Sequence, residues 1–298
     1  MLIANVLRFP LSFFAGRLPQ RAAPRSREQL REHYLIEREL AERLCSAPVE
    51  ERPALYMKVY DELLRRVPHH PMLQVRVDPR ELGRRAAAAE RTLAFLARFF
   101  RPGCTFMEIG AGDCAVSVRA AAQVKQVYAI EVSAEIVAQV RAPGNLAVVL
   151  CNGLSIPVAP GSVDVAFSDQ LMEHLHPDDA ALQLASIYRS LAPGGVYLCV
   201  TPNRLYGPRD ISEHFDEVAT GLHLKEYSAR EIRKVLHAAG FSRVRFYAGA
   251  RGLYVAIPYF LVAAVEGVLE KLPYGLRKLA ADTGPLRALL GLRVAATK

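Results

Sequence analysis

The sequence predicts an α/β fold: a doubly wound, mostly parallel seven-stranded sheet covered by helices on both faces. Three observations predict it. From Thr105 onward, short β-type runs alternate with helical ones, the pattern left by βαβ units. Before that point the periodicity is helical, with no strand-like run. The last strand-like run, Leu292–Thr297, is separated from its predecessor by roughly 40 residues, longer than an ordinary connection.

The elements follow in order. Over 26–67, Leu30, Tyr34, Leu35, Leu40 and Leu44 recur near helical spacing, with Glu and Arg between them. Ala47–Pro48 interrupts, and Leu55, Val59, Leu63 and Leu64 resume the pattern. Pro68, Pro71 and Pro79 punctuate a connector over 67–80. A helix over 84–100 stops at Pro102–Gly103. Strands are expected at Thr105–Ile109, Gln126–Glu131, 147–151, 163–168, 196–201, 242–247 and Leu292–Thr297, and helices at 115–123, 133–140, 179–191 and 229–239. The chain divides on this reading into an N-terminal helical region, 1–83, and an α/β domain, 84–298, with a helical insert at about 250–291.

Composition narrows the class. With 298 residues, 51% hydrophobic and 23% charged, the chain is neither disordered nor collagen-like, and it is long enough to bury a core unaided. The net charge of +8 allows an anionic partner without identifying one. Cys45, Cys104, Cys114, Cys151 and Cys199 lack zinc-knuckle spacing and are odd in number, which reads as apolar filling in a reducing cytoplasm. Residues 1–17 are apolar, but Arg8 and Pro10 interrupt them and the charges lie within or after the run. The segment reads as a basic amphipathic lead or an upstream mis-start, not an export signal. No uninterrupted run reaches the about twenty apolar residues that a membrane span needs.

The sharpest motif is Thr105-Phe-Met-Glu-Ile-Gly-Ala-Gly-Asp-Cys-Ala-Val, a short strand running into Gly110-Ala111-Gly112 and then a helix. Glycines there allow a tight turn and a close approach of backbone to a cofactor. Glu131 closes the next strand, where an acid can accept both ribose hydroxyl protons. Two cofactor classes fit. Gly110, Gly112 and Ala115 satisfy the dinucleotide spacing G-x-G-x-x-G/A. Equally, Glu108-Ile-Gly-Ala-Gly-Asp-Cys resembles the first motif of the class I S-adenosylmethionine-dependent methyltransferases.

Three features favour the second. The Glu108 carboxylate would repel a pyrophosphate but attract a methionine ammonium, and Asp113 adds a second acid to the loop. Cys151-Asn152-Gly153-Leu154, followed by a Pro-Gly-Ser stretch and Val163-Asp-Val-Ala-Phe-Ser168, resembles the family's third and fourth strands. Ser190-Leu-Ala-Pro-Gly-Gly-Val-Tyr-Leu with Thr201-Pro-Asn, then His223…Tyr227-Ser-Ala-Arg-Glu-Ile…Ala239-Gly240-Phe241, resembles its later segments. The resemblance covers 108–241 and implies a Rossmann-like fold with S-adenosylmethionine as cofactor. It further implies that Glu108, Gly110, Ala111, Gly112 and Asp113 shape the methionine pocket, and that Glu131 and Val132 hold the ribose. Asn152, where many relatives have Asp, would accept the adenine amine through its amide oxygen. Gly153, Leu154 and Ser168 complete the set, and Cys114 replaces the family's third glycine.

Methyl transfer is an in-line displacement at a sulfonium, so the protein chiefly aligns the reactants. An oxygen nucleophile also needs a base or a metal. The candidates lie after the fourth strand, where Glu173 and His174 would sit on a short helix over the sulfonium. In the ubiquinone O-methyltransferase-like branch, and in small-RNA 2′-O-methyltransferases, E-x-x-E-H supplies metal ligands here. This chain reads Gln170-Leu-Met-Glu173-His174, and Gln is a weaker ligand for a hard cation. No metal set is therefore assigned. Glu173, His174 and His223 are the expected catalytic residues, with His174 or His223 as general base. His33, His69 and His70 are read as solvated or capping, and His176 as loop.

Substrate selection is expected in the N-terminal helices and the insert. The insert sets Leu253-Tyr-Val-Ala-Ile-Pro-Tyr-Phe-Leu-Val beside Lys271, Arg277 and Lys278, which fits an interfacial helix and equally a lid broken by Pro258. The acceptor is expected to be a small or lipid-linked molecule, methylated at oxygen by a cytoplasmic protein. Peripheral membrane contact through 1–20 and 253–278 stays open, and so does the oligomeric state. Nucleic acid is not expected, because basic and aromatic residues are little interleaved. Three alternatives also remain: an RNA 2′-O-methyltransferase, an NAD-dependent Rossmann enzyme and a non-catalytic S-adenosylmethionine-binding protein.

Overall fold

A computed structural model describes residues 25–71, 73, 79–138, 140–250 and 252–298; the expectations for 1–20 lie outside these. Helix α1 (Arg27–Ser46) opens on a capping box, in which Ser26 Oγ accepts the Gln29 N–H and the Gln29 side chain returns to the Ser26 N–H. After the break at Pro48, α2 (Arg52–Arg66) carries Pro53 in its first turn. Leu40 and Leu44 of α1 and Tyr56, Val59 and Leu63 of α2 share one buried cluster with Met107, Ile130 and Ile187 on one face of the sheet. Helix α3 (Pro79–Leu96) covers the opposite face, packing Leu93, Phe95 and Leu96 with Phe106, Val127 and Tyr247. The boundary expected at 83–84 therefore falls inside a helix.

The sheet follows: β1 (Thr105–Ile109), α4 (Ala115–Ala120), β2 (Gln126–Glu131), α5 (Ala134–Val137), β3 (Leu146–Leu150), β4 (Val163–Asp169), α6 (Pro177–Ser190) and β5 (Leu191–Thr201). Then come α7 (Ala229–Ala238), β6 (Arg243–Ala250), β7 (Leu253–Ile257), α8 (Tyr259–Leu269), α9 (Tyr274–Ala281), α10 (Gly284–Leu290) and β8 (Leu292–Thr297). The strand order is β3-β2-β1-β4-β5-β8-β6-β7. Strands β1 to β5 are parallel, whereas β8 runs antiparallel between β5 and β6.

The sheet has one strand more than expected. Residues 253–257, read as part of a helical insert, instead form β7, an edge strand antiparallel to β6 through a turn at Gly252. β-Branched and aromatic residues suit an edge strand, but the apolar run continuing past Pro258 hides its alternation. The expected helices at 115–123 and 133–140 are shorter, ending at Ala120 and Val137.

One feature of the order positions the site. From β1 the chain goes first to β2 on one side and later to β4 on the other, so a crevice opens beyond the carboxyl ends of β1 and β4.

Candidate active site

The glycine loop lies at that crevice. The N–H groups of Gly110 and Ala111 donate to the Ile130 carbonyl at 2.9 and 3.0 Å, which pins the loop to β2. Gly110 has φ +72°, and a Cβ there would come within 3.2 Å of Leu171 in the loop after β4. A glycine is therefore required both by the backbone and by the approach of the neighbouring loop. Cys114, in place of the third glycine, also takes a left-handed conformation at φ 57°.

Glu131 is buried and organises the loop. Its Oε2 accepts the Gly112 N–H at 2.7 Å, and its Oε1 accepts those of Val132 and Ser133 at 2.7 and 3.2 Å. Asn152, Gly153 and Leu154 follow β3 at the next strand end, and Tyr56 of α2 packs against Gly153. The cofactor residues expected on the first three loops thus end neighbouring strands.

Four sequence expectations change in detail. Asp113 has partners within the protein: its carboxylate accepts from Ala115 N–H at 3.1 Å and from Arg85 at 3.2 Å. Ser168 Oγ is fully buried and shares a 2.7 Å hydrogen bond with the Tyr197 hydroxyl. Asn152 Oδ1 accepts the N–H groups of Leu154 and Ser155 at 3.1 and 2.8 Å, so its oxygen closes its own turn before meeting any adenine. Glu108 is not a bare carboxylate. It accepts from Ser117 Oγ at 2.5 Å, and burial pushes its pKa up to about 8.

The second half of the site follows β4. Met172–His174 form a single 3-10 turn, and Glu173 is fully buried. Thr201 Oγ1 donates to Glu173 Oε2 at 2.9 Å, while Oε1 has no hydrogen-bond partner. Burial pushes its pKa up to about 7. His174 donates Nδ1–H to the Leu222 carbonyl at 2.9 Å, and burial lowers its pKa to about 3. Its Nε2 therefore carries a lone pair at neutral pH.

His223 stands edge-on to His174, with ring centroids 4.8 Å apart. Its Nδ1 bonds Glu226 Oε1 at 2.8 Å. Burial disfavours its charged form, but the Glu226 bond and the charges of Glu173 and Asp210 outweigh this and raise its pKa. One donor atom each from Glu173, His174 and His223 all lie within 4.8 Å of one another. The structure thus gathers the three expected catalytic residues. These three donors converge without Gln170.

Several residues of the site carry no local sequence signal. The Tyr60 ring of α2 lies edge-on to His174 at 5.7 Å, and its hydroxyl is held protonated by burial and by the nearby carboxylates of Glu37, Glu173 and Glu131. Asp210 Oδ2 accepts the N–H groups of Gly221 and His223 at 3.0 and 3.3 Å. Glu37 of α1 accepts from Leu222 N–H. His33 and His70, expected to be solvated or capping, are buried beside Glu37, with His33 Nε2 bonding Glu37 Oε1 at 2.7 Å. His176 is the N-cap of α6. A cavity of about 340 Å³ between α1 and the 216–224 loop is lined by Tyr34, Arg38, Asp216 and Thr220 and has His223 in its wall.

Residues 107–199 match a family described as a methyltransferase domain. The chain is 32% identical over 147 residues to a probable S-adenosylmethionine-dependent methyltransferase of Mycolicibacterium smegmatis, covering 47% of this chain and 52% of the relative. A probable S-adenosylmethionine-dependent methyltransferase of Mycobacterium tuberculosis is 31% identical over 144 residues, covering 47% and 50%. A putative methyltransferase of Haloferax volcanii, solved in complex with the Trm112 methyltransferase activator, shares the fold at a TM-score of 0.50 and 19% identity, over 71% of this chain and 88% of that one. The chain spans about half the length of the curated relatives it matches.

A switch-point crevice, a glycine loop and an acid one strand over define a nucleoside-cofactor protein. Residues 107–199 match a methyltransferase domain and the curated relatives are probable S-adenosylmethionine-dependent methyltransferases, so the site resembles that of the class I enzymes, with S-adenosylmethionine as the cofactor. The dinucleotide reading of Gly110, Gly112 and Ala115 is thereby set aside.

Proposed function

We propose that this chain transfers the methyl group of S-adenosylmethionine to an oxygen of a small or lipid-linked acceptor, with His223 as general base. One observation carries the reading. The two Nδ1 atoms are tied to Leu222 and Glu226, and both rings lie with Glu173 on and around the turn after β4, whose Leu171 approaches Gly110 of the glycine loop. An acceptor hydroxyl has a high pKa and needs a proton acceptor in line with the attack. His174, held neutral by burial, orients the hydroxyl through Nε2. His223, tuned upward and backed by Glu226, takes the proton. S-adenosylmethionine, when bound, would supply an activated methyl group with a neutral thioether as leaving group, and the proton that the acceptor oxygen gives up would pass to His223. Glu131 holds the ribose, and the acceptor reaches His223 through the cavity beside α1.

A second reading has an observation of its own. Glu173 Oε1 is buried without a partner, and two imidazoles with their Nδ1 atoms engaged stand beside it, a donor set that fits a divalent cation. Glu173, His174 and His223 would then be its ligands, and the cation would lower the acceptor hydroxyl's pKa.

The test is a labelled-methyl transfer assay with S-adenosylmethionine and metabolite or lipid extract, run with and without a chelator. Labelled product that disappears in His223→Ala, by about a hundredfold or more, supports the base. Loss of transfer on chelation, restored by a divalent cation, favours the second reading. If S-adenosylhomocysteine binds by calorimetry but no extract is labelled, the chain is a non-catalytic binder. Label found only in an RNA fraction replaces the small acceptor with RNA.

A further inference from the structure

The insert between β7 and β8 turns part of its apolar surface outward. Helix α8 is anchored by its inner face, where Val262, Glu266 and Leu269 are buried. Glu266 Oε1 accepts from Asn203 Nδ2 and from Ala229 N–H, both at 2.7 Å, which fixes how the helix is rotated. Its outer face presents Phe260, Leu261 and Val268, at 67%, 45% and 65% exposure. Leu276 and Leu279 of α9 and Leu253 and Val255 of β7 are also exposed. Seven of the fifteen exposed large apolar side chains among the described residues thus fall within 253–279. Such a concentration marks an interaction surface.

Charge selects the occupant. The exposed acids of the insert are compensated, Glu270 by Arg204 and Asp282 by Arg287. Lys271, Arg277 and Lys278 supply positive charge beside the apolar residues. Arg277 and Lys278 both lie over the Tyr274 ring, at 5.5 and 5.6 Å, and Lys278 Nζ donates to its hydroxyl at 3.2 Å. An aromatic ring flanked by long cationic side chains suits the level of lipid headgroups. A second copy on the same patch would set these cations against their own counterparts. No helix among the described residues is long and apolar enough to cross a membrane.

We propose that the outward face of the insert docks on an anionic lipid bilayer. Phe260, Leu261, Val268, Leu276 and Leu279 enter the acyl boundary, and Lys271, Arg277 and Lys278 meet the phosphates. The proposal is independent of methyl transfer, and it brings the chain to a surface where a lipid-linked acceptor would be found.

The test is sedimentation of the full chain with vesicles of equal parts phosphatidylglycerol and phosphatidylcholine, and with phosphatidylcholine alone. Binding is expected on the anionic vesicles and should weaken about tenfold or more on neutral ones or at high salt. Phe260→Asp with Leu279→Asp should remove it, and Lys271→Glu with Lys278→Glu should reduce it to the neutral-vesicle level, with circular dichroism unchanged. Phe260, Lys271 and Leu279 are exposed and Lys278 is half-buried at the surface, so folding should persist. Absence of binding, or binding that both variant pairs retain, overturns the proposal. So does a concentration-dependent dimer in sedimentation equilibrium that Leu279→Asp dissolves, because a second copy then covers the face.

Discussion

Glu37 of α1 accepts the backbone N–H of Leu222 at 3.2 Å, across 185 residues of sequence. The carbonyl of the same Leu222 accepts from His174 Nδ1 at 2.9 Å, so a helix outside the family-matched segment fixes the loop that orients the His174 imidazole. His33, bonded to Glu37 through Nε2 and to Arg25 through Nδ1, steadies that carboxylate from behind. Glu37→Ala leaves a buried N–H unpaired, and an expected loss of about 1–3 kcal/mol follows. Urea denaturation checks the stability, and faster hydrogen exchange at the Leu222 amide checks the location.

Glu108 gives stability a pH dependence of definite sign. Its folded pKa, about 8, lies above the ordinary 4.5, so the folded state holds an extra proton between these values. Stability attributable to this group therefore falls as pH rises across that window. Glu108→Gln cannot ionise and keeps an acceptor for Ser117. It should be more stable than the parent at about pH 9, by a few kcal/mol at most, and nearly equal at about pH 5. Thermal unfolding at the two pH values decides this, and a constant difference would refute it.

Arg52 of α2 meets Asp179 of α6 in a buried two-point pair, at 2.6 and 2.9 Å, and Tyr56 donates to the same carboxylate at 2.8 Å. Removing one partner strands the other charge. Asp179→Ala should cost about 3–5 kcal/mol, while Arg52→Met with Asp179→Leu should recover part of that loss. A double-mutant cycle by denaturant titration measures the coupling.

Glu131 gathers three backbone N–H groups and, in the proposed complex, the ribose hydroxyls. Glu131→Ala is expected to weaken S-adenosylhomocysteine binding by more than about tenfold, from loss of charge-assisted hydrogen bonds. Calorimetry on a variant with native circular dichroism tests it, and unchanged affinity would remove the ribose assignment.

The pH profile of methyl transfer follows from His223. Its raised pKa means that the neutral, proton-accepting ring appears only above the ordinary histidine value of about 6.5. Turnover should rise with pH through a point above that value. A rise centred below it would exclude His223 as the base.

The sequence by itself determined the parallel α/β core, the glycine turn after β1, the acid ending β2 and the Glu173–His174 pair. These depend on contiguous residues: a period of two or 3.6 sets strands and helices, and a tight turn demands glycine where it occurs. Tertiary structure decided which polar atoms meet. Asp113 and Ser168 have the right positions for a cofactor site, yet their side chains bond Arg85 and Tyr197, because loop curvature and strand facing set their direction. Glu37, Tyr60, Asp210 and Glu226 joined the site from elements whose local pattern says only helix or loop. Burial then altered the chemistry: the same glutamate is a bare anion in water and holds its proton to about pH 8 at position 108, where little solvent remains to stabilise the charge.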